Sequence, residues 1–98
     1  MPLESRFQSR VLRDLREEYP RSLILKIDTS YHPGTPDRLI LNEDRWATLE
    51  FKRSANAAKQ PNQEYFVELM NRMSYSSFIF PENEREVLRE LERALRPL

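Results

Sequence analysis

Two short apolar segments joined by a polar connection form the feature that most constrains the fold of this chain. Within GTPDRLILNEDRWATLEFKRS, residues 34–54, the segments RLILN and RWATLEFK flank the connection NED. Short runs of leucine, isoleucine, tryptophan and phenylalanine are typical of strands, and so tight a connection joins antiparallel neighbours. The sequence therefore predicts a β-hairpin that carries three unexpected charges, Asp37, Glu50 and Lys52.

Side-chain alternation predicts where these charges lie. In the second strand the odd-numbered residues from 47 to 51 point into the core, while the even-numbered residues from 46 to 52 share the other face. Pro36 cannot donate a ladder hydrogen bond, so it marks the start of the first strand. Because the start of one hairpin strand lies beside the end of the other, Asp37 becomes a neighbour of Glu50, and Lys52 shares the face of Glu50.

Helical spacing and turn residues predict the elements around the hairpin. Residues 3–19 form a helix that ends at Pro20, and Asn83 with Glu86 forms a capping box for a last helix. The predicted elements are a helix (3–19), three strands (22–30, 38–42, 45–52), a helix (63–73) with Tyr65, Phe66, Leu69 and Met70 on its buried side, a strand (76–80) and a helix (83–95). This α-β-β-β-α-β-α order indicates an α/β fold with a small mixed sheet flanked by helices.

Length and composition limit the possible functions. A chain of 98 residues predicts a single domain, residues 1–98, with one modest core. It has no cysteine, so a metal would be held by oxygen atoms or by the one histidine, His32. Sixteen basic and sixteen acidic residues argue against binding DNA through positive charge alone. The apolar runs are only a few residues long, and the first residues do not resemble a secretory signal, so we expect a cytoplasmic protein with no membrane partner.

Two neighbouring carboxylates need a cation between them. Asp37 and Glu50 would repel each other and raise each other's pKa unless a cation joined them. Mg²⁺ is commonly held by one or two carboxylates and a substrate phosphate. Lys52 would orient or help to deprotonate an attacking water and stabilise charge that develops on a phosphate. On the first helix Glu4 falls within the apolar arc, where it would complete the site, and Gln8 lies one turn later.

Each of these residues also has a purely structural explanation. Glu4 would complement the dipole of the helix in which it occupies the first turn. Asp37 would be a turn residue, and Glu50 with Lys52 would form a weak ion pair on a solvated strand face. Taken singly, these explanations are as good as the metal site. The metal site is favoured because Glu4, Asp37, Glu50 and Lys52 are all predicted to lie near one another.

The residues PD at 36–37 and EFK at 50–52 resemble the signature of the PD-(D/E)XK nuclease superfamily. Nearly the whole chain is similar to the small virus-type replication-repair (VRR-Nuc) nucleases and to phage Holliday-junction resolvases. The resemblance implies a restriction-endonuclease-like core and attack of an activated water on a DNA phosphodiester, with Mg²⁺ or Mn²⁺ as cofactor. One departure is that Met73 and Ser74 stand where the family often has a glycine after the second helix.

The resemblance also implies roles for individual residues. The implied catalytic residues are Glu4, Asp37, Glu50, Lys52 and Gln63. The implied metal ligands are Glu4, Asp37, Glu50 and the backbone carbonyl of Phe51. Gln63 matches a glutamine that the family has at the start of the helix after the lysine, and Gln60 is the less favoured candidate for that role.

Side chains near the site are the expected contacts to DNA. The expected phosphate contacts are Arg38, Arg53, Lys59 and Arg72, each with an ordinary solvated surface as its alternative. Tyr31 and Tyr65 would stack on exposed bases unless they pack in the core or at its rim. His32 lies in the loop before Gly34, from which it would approach the scissile region or remain incidental.

A nuclease of 98 residues has little surface with which to hold a duplex. A symmetric homodimer would double that surface and set two active sites against two strands. The last helix offers the apolar residues Val87, Leu88, Leu91, Ala94 and Leu95. The same face of that helix would alternatively cover the sheet.

The sequence therefore predicts a Mg²⁺-dependent DNA endonuclease. Its substrate would be branched, flap or Holliday-junction DNA in phage or bacterial replication, recombination or repair. A first alternative is a catalytically inactive nuclease fold that serves as a nucleic-acid-binding or assembly module, with DNA affinity independent of metal. A second alternative is a small structural protein whose charged strand face is only solvated.

Overall fold

Three α-helices and four β-strands follow the predicted order in the computed structural model, which describes the backbone of residues 3–97 and the side chains of residues 5–97. The elements are α1 (Leu3–Glu18), β1 (Leu23–Lys26), β2 (Arg38–Asn42), β3 (Arg45–Phe51), α2 (Pro61–Met73), β4 (Ser76–Ile79) and α3 (Glu84–Leu95). The α/β fold class is confirmed, although β1 is shorter than predicted. Among the described helices, none is long and apolar enough to cross a membrane.

The four strands form one mixed sheet in the order β1-β2-β3-β4. β2 pairs antiparallel with β1 and with β3, whereas β3 and β4 are parallel and are joined through α2. Glu43 and Asp44 close the hairpin between β2 and β3, whose register pairs Arg38 with Leu49. Glu43 takes a φ of 56°, and a positive φ is typical of two-residue hairpin turns.

One face of the sheet packs against α1 and α3 and forms the main core. Phe7 of α1 meets Phe51 of β3 edge to face, with the ring centroids 6.0 Å apart. Burial of these apolar side chains is the main stabilising contribution to so small a domain. Val87, Leu91 and Leu95 of α3 are buried in the same cluster. The apolar face of α3 therefore covers the sheet, which is one of the two alternatives that the sequence leaves open.

The opposite face of the sheet is covered by α2, mainly over β3 and β4. Val67 is buried on this helix, and Met70 Sδ lies 3.9 Å from Thr48 Oγ1. The prediction that Tyr65 is buried is wrong, because its side chain is 58% exposed. Two positions correspond to about 200° around a helix, so Tyr65 points away from the sheet when Val67 faces it.

On this same face β1 and β2 keep an apolar surface, which we call the leucine patch. The register pairs Leu23 with Leu41 and Leu25 with Leu39, so the four leucines lie side by side. Leu23 is 55% exposed, Leu25 39% and Leu41 36%. β1 is also an edge strand of the sheet.

The start of α3 differs from the prediction. Asn83 Oδ1 accepts a hydrogen bond from the Phe80 N–H at 2.9 Å, and Nδ2 donates to the Phe78 carbonyl at 3.0 Å. Both polar atoms of the side chain are thus committed to the 3₁₀ turn between β4 and α3. The predicted capping box of Asn83 and Glu86 is therefore wrong, because the turn competes for the same asparagine.

Candidate active site

The chain before β2 places Asp37 at one end of the sheet, opposite the end of β3. The Asp37 carbonyl accepts a hydrogen bond from the Ile27 N–H at 2.9 Å, which extends the pairing of β1 and β2. Because Arg38 pairs with Leu49, the next step of the register places Asp37 opposite Glu50. Residues opposite each other in an antiparallel pair project to the same face. The two acids therefore share one end and one face of the sheet.

Asp37 carries a partly desolvated carboxylate. Its side chain is 28% exposed, and Oδ1 is buried without a hydrogen-bond partner among the described residues. Arg38 Nη1 lies 3.9 Å from Oδ2, which is a loose ion pair. Burial raises the pKa of Asp37, and the charge of Arg38, the backbone N–H of Phe51 and the charge of Lys26 offset part of this rise. Such a carboxylate gains stability when a cation binds to its unsatisfied oxygen.

Gln63 links Glu50 to Lys52. Gln63 Nε2 donates to Glu50 Oε2 at 3.3 Å, and Lys52 Nζ donates to Gln63 Oε1 at 2.7 Å. The side chain of Glu50 is almost fully buried, with the residue 8% exposed. Since an amide offers both a donor and an acceptor, one side chain can hold the carboxylate and the ammonium together.

The start of α2 explains why Gln63 points at this site. Pro61 occupies the first helical position, where the missing N–H of proline costs no hydrogen bond. Gln63 is then the third helical residue, and its Oε1 accepts a hydrogen bond from the Gln60 N–H at 3.0 Å. Lys52 is fixed from the other side, because its Nζ also donates to the Ala58 carbonyl at 3.1 Å. The helix start therefore positions the amide between the two charged groups.

Glu4 lies in the first turn of α1, but its side chain is outside the described residues. Phe7, one turn later, packs against Phe51, so the start of α1 lies at the same end of the sheet as Glu50. α1 covers the face opposite to that of the Glu50 side chain. Within the side chains of residues 5–97, no three acidic or histidine residues form a group able to hold a metal. The described acids of the site are therefore Asp37 and Glu50.

The predicted phosphate contacts differ in exposure. The Arg38 side chain is 14% exposed, and its Nη1 donates to the Asp37 carbonyl at 3.1 Å. This guanidinium is therefore turned toward the candidate site. The exposed members of the set are Arg53, Lys59 and Arg72. Lys59 Nζ lies 4.6 Å from the centroid of the Phe78 ring, a cation–π distance.

The loop that precedes β2 presents its side chains to solvent. Tyr31 is 84% exposed, and His32 is exposed as well. The carbonyl of His32 accepts hydrogen bonds from the N–H and the hydroxyl of Thr35 at 3.1 and 3.0 Å. Gln8 of α1 is half-buried. The loop is thus held by hydrogen bonds between Thr35 and His32, and the rings of Tyr31 and His32 are exposed to solvent.

Two groups near the site are not evident from the sequence pattern. Lys26 ends β1, pairs with Arg38 in the register and contributes to the potential at Asp37. The Ala58 carbonyl lies in an irregular loop, where no periodicity predicts its contact with Lys52. The β1–β2 pairing predicts the place of Lys26 once the strand register is known. The loop contact depends on tertiary structure alone.

A comparison with solved structures finds the same architecture in a protein described as a VRR_NUC domain protein. The TM-score is 0.67, the sequence identity is 16%, and the match covers 96% of this chain and 91% of that chain. No family model and no curated protein matches the sequence. At this identity the likeness concerns the fold. The chain therefore has the fold of the VRR_NUC domain protein, a four-stranded mixed sheet flanked by helices.

Proposed function

We propose that this chain is a nuclease that hydrolyses DNA phosphodiester bonds with Mg²⁺ or Mn²⁺ as cofactor. The observation that carries the proposal is the linkage of Glu50 and Lys52 through Gln63, beside the unsatisfied carboxylate oxygen of Asp37. A carboxylate pair with a tethered ammonium suits phosphodiester hydrolysis, because it combines a cation site with a group that stabilises negative charge. The VRR_NUC fold of the solved neighbour supports the same reading.

The donor atoms of the site fit a hard divalent cation. Mg²⁺ and Mn²⁺ take oxygen ligands, and Asp37 supplies a buried oxygen that no described donor satisfies. We assign the ligand roles to Asp37, Glu50 and the Phe51 carbonyl, with Glu4 as the third acid. When bound, the cation supplies a Lewis acid that polarises a phosphate oxygen and promotes ionisation of a water. The net charge of the chain is zero, so a bound cation would also add to the attraction for DNA.

Lys52 is the group that acts on the reacting water or phosphate. Its ammonium is held by Gln63 Oε1 and by the Ala58 carbonyl, so its position is fixed before substrate arrives. A fixed ammonium stabilises charge in a transition state without reorganisation at the moment of reaction. The same group orients the attacking water by donating a hydrogen bond to it. Gln63 acts through Lys52 and Glu50 as a positioning residue.

The substrate is proposed to be branched, flap or Holliday-junction DNA in phage or bacterial replication, recombination or repair. Arg53, Lys59 and Arg72 are exposed and would bind backbone phosphates. Arg38 lies closer to the acids and would contact the phosphate next to the scissile bond. The cut is internal to the strand, as expected of an endonuclease.

A homodimer is proposed as the active assembly, and its interface is the leucine patch rather than α3. The apolar face of α3 is buried against the sheet, with Leu91 and Leu95 fully covered. Leu23, Leu25 and Leu41 instead keep a third or more of their surface exposed beside the edge strand β1. Contiguous exposed apolar surface marks an interaction site. Two copies related by a twofold axis would cover each other's patch.

Cleavage of a fluorescently labelled flap or four-way junction in Mg²⁺ tests the proposed function. Asp37→Asn and Lys52→Ala are each expected to lower the rate by about 10²- to 10⁴-fold, the range that a positioned catalytic group contributes. Glu68→Gln on the exposed surface of α2 is the matched control and should cleave at the wild-type rate. Equal rates in all four proteins would refute the assignment.

A catalytically inactive nucleic-acid-binding or assembly module is the second candidate. The observation that favours it is that the likeness to the solved VRR_NUC domain protein, at 16% identity, concerns the fold, and a fold can be kept without its catalytic function. It predicts affinity for DNA that is the same in EDTA and in Mg²⁺, with no cleavage in either. The nuclease assignment predicts cleavage that EDTA abolishes, so the same substrate distinguishes the two candidates.

A further inference from the structure

A cleft adjoins the candidate active site between the loop that precedes β2 and the start of α2. Its volume is about 290 Å³, close to the lower limit for small-molecule sites. The cleft is lined by Pro33, Gly34, Gln60, Pro61, Asn62 and Gln63. Gln63 therefore has two surfaces, one that holds Glu50 and Lys52 and one that lines the cleft. A molecule in the cleft would lie one side chain away from the catalytic groups.

The sole glycine of the chain builds this cleft. Gly34 has a φ of 100°, a conformation that favours glycine. A Cβ atom at this position would overlap Asn62, lying 2.8 Å from its carbonyl carbon. Asn62 Nδ2 also donates a long hydrogen bond of 3.4 Å to the Pro33 carbonyl. The loop and the start of the helix are therefore in close contact at Gly34 and Asn62, which leaves no room for a side chain at position 34.

The chemistry of the lining indicates a neutral ligand group. The described lining holds the side-chain amides of Gln60 and Asn62, the amide of Gln63 that is already bonded to Glu50 and Lys52, and two proline rings. It contains no lysine, arginine, aspartate or glutamate. A phosphate site would present basic side chains. Amides instead match the donors and acceptors on the edge of a nucleobase, and flat rings match its face.

Two exposed tyrosines lie close in sequence to residues that line the cleft, and the ring of one of them, Tyr65, also meets Phe66 edge to face at 5.1 Å. Tyr31, which is 84% exposed, stands two residues before Pro33 in the loop. Tyr65, which is 58% exposed, lies one helical turn after Pro61 and on the same side of α2. Exposed tyrosines beside a polar cleft are typical of proteins that stack unpaired bases.

We propose that this cleft binds an unpaired nucleotide of the DNA strand next to the scissile phosphodiester, with Tyr31 or Tyr65 stacked on its base. The inference rests on the proposed nuclease function, because it takes the cut to be made beside Glu50 and Lys52. A base inside a continuous duplex cannot enter the cleft without leaving its stack. The enzyme therefore prefers junctions and flaps that expose an unpaired nucleotide over intact duplex.

Binding of a short single-stranded probe in EDTA tests the cleft without any need for cleavage. The probe is a six-nucleotide oligothymidylate, and the readout is the ¹⁵N spectrum of the full chain. Saturation is expected to shift the backbone amide of Gly34 and the side-chain amides of Gln60, Asn62 and Gln63. If these four signals stay in place while signals of other residues move, the nucleotide binds elsewhere and the inference is overturned.

Substitution of the tyrosines tests the stacking. Loss of a base–aromatic stack lowers affinity by about 5- to 150-fold, so Tyr31→Ala or Tyr65→Ala is expected to weaken probe binding by that factor. Tyr→Phe at the same position keeps the ring and should restore affinity. Met73→Ala, an exposed change at the far end of α2, is the matched control. Wild-type affinity in both alanine variants would overturn the stacking.

The outcomes separate the cleft from the nuclease. If the wild type cleaves DNA but the amide signals of Gly34 and Asn62 do not shift when the probe binds, the proposed nucleotide site is refuted and the proposed nuclease function is not. Cleft shifts with the expected tyrosine dependence but no cleavage in Mg²⁺ would support nucleotide binding and refute the nuclease. A wild-type preference for flap over nicked duplex that Tyr31→Ala or Tyr65→Ala abolishes would support both.

Discussion

Replacement of Gln63 by alanine removes a side chain that joins Glu50 to Lys52 in the candidate site. The variant loses the hydrogen bond from Lys52 at 2.7 Å, the one to Glu50 at 3.3 Å and the one from the Gln60 N–H at 3.0 Å. Lys52 keeps its bond to the Ala58 carbonyl. Because that carbonyl lies in an irregular loop, the ammonium would be held less rigidly than in the wild type.

The expected cost to stability follows from these three bonds. A hydrogen bond to a charged group contributes about 1.5–3 kcal/mol and a neutral one about 0.5–1.5 kcal/mol to the free energy of unfolding. Gln63 is half-buried, so water would replace part of what is lost. We expect a net loss of about 2 kcal/mol, which lowers the melting temperature of a domain of this size by about 8–16 °C.

The expected cost to activity is of a different kind. A residue that orients catalytic groups without touching the substrate typically contributes about 10- to 100-fold to activity. In Gln63→Ala this loss should fall on kcat rather than on KM, because Lys52 is no longer fixed for the transition state. Gln63→Glu keeps an acceptor for Lys52 but places a carboxylate against Glu50. Because two ionised carboxylates repel each other, this variant should cleave faster than the alanine variant only at low pH, where one of the two carboxyl groups is protonated.

Thermal unfolding and steady-state cleavage in Mg²⁺ measure the two effects separately. Glu68→Ala truncates an exposed side chain on the same helix and is the control for effects on α2 itself. It should melt within a few degrees of the wild type and keep its kcat. A Gln63→Ala protein with wild-type melting temperature and wild-type kcat would refute the linkage of Glu50 and Lys52 through this amide.

Three further predictions follow from the same contacts. Gly34→Ala should lose about 1–3 kcal/mol because of its positive φ and its overlap with Asn62, as measured by urea unfolding; an unchanged midpoint would contradict this. Asp37→Asn should melt at a higher temperature than the wild type in EDTA at pH 7, because burial disfavours the charged carboxylate of Asp37. The difference in melting temperature should disappear as the pH falls through the raised pKa of Asp37, because the wild-type carboxyl then also becomes neutral. A variant that melts at a lower temperature than the wild type at pH 7 would contradict this. Leu25→Asp should shift a dimer to monomer in analytical ultracentrifugation, whereas Leu88→Asp on α3 should not, and the opposite pattern would move the interface to α3.

The hairpin and its register could be predicted because local patterns determine them. Alternation fixes which residues of β3 face the core, and a two-residue turn fixes the pairing, so Asp37 falls opposite Glu50. The start of α2 was harder to predict. Proline at the first helical position is tolerated rather than excluded, and the helix therefore begins at Pro61 instead of residue 63.

The contacts that complete the site could not be predicted, because they depend on how loops pack. The bond from Lys52 to the Ala58 carbonyl and the approach of Gly34 to Asn62 join irregular segments that have no periodic signal. The exposure of Tyr65 reflects a rotation of α2 that places Val67 against the sheet. Tertiary packing decides such rotations when several faces of a helix carry apolar residues.

Anomalous diffraction from a crystal soaked in Mn²⁺ tests the central claim most directly. We predict a peak within coordination distance of the carboxylates of Asp37 and Glu50, with Lys52 and Gln63 in the linked arrangement. The same soak of an Asp37→Asn crystal should lose the peak while the fold is retained. A wild-type crystal that binds Mn²⁺ elsewhere, or shows no peak between these two acids, would contradict the proposed metal-dependent nuclease.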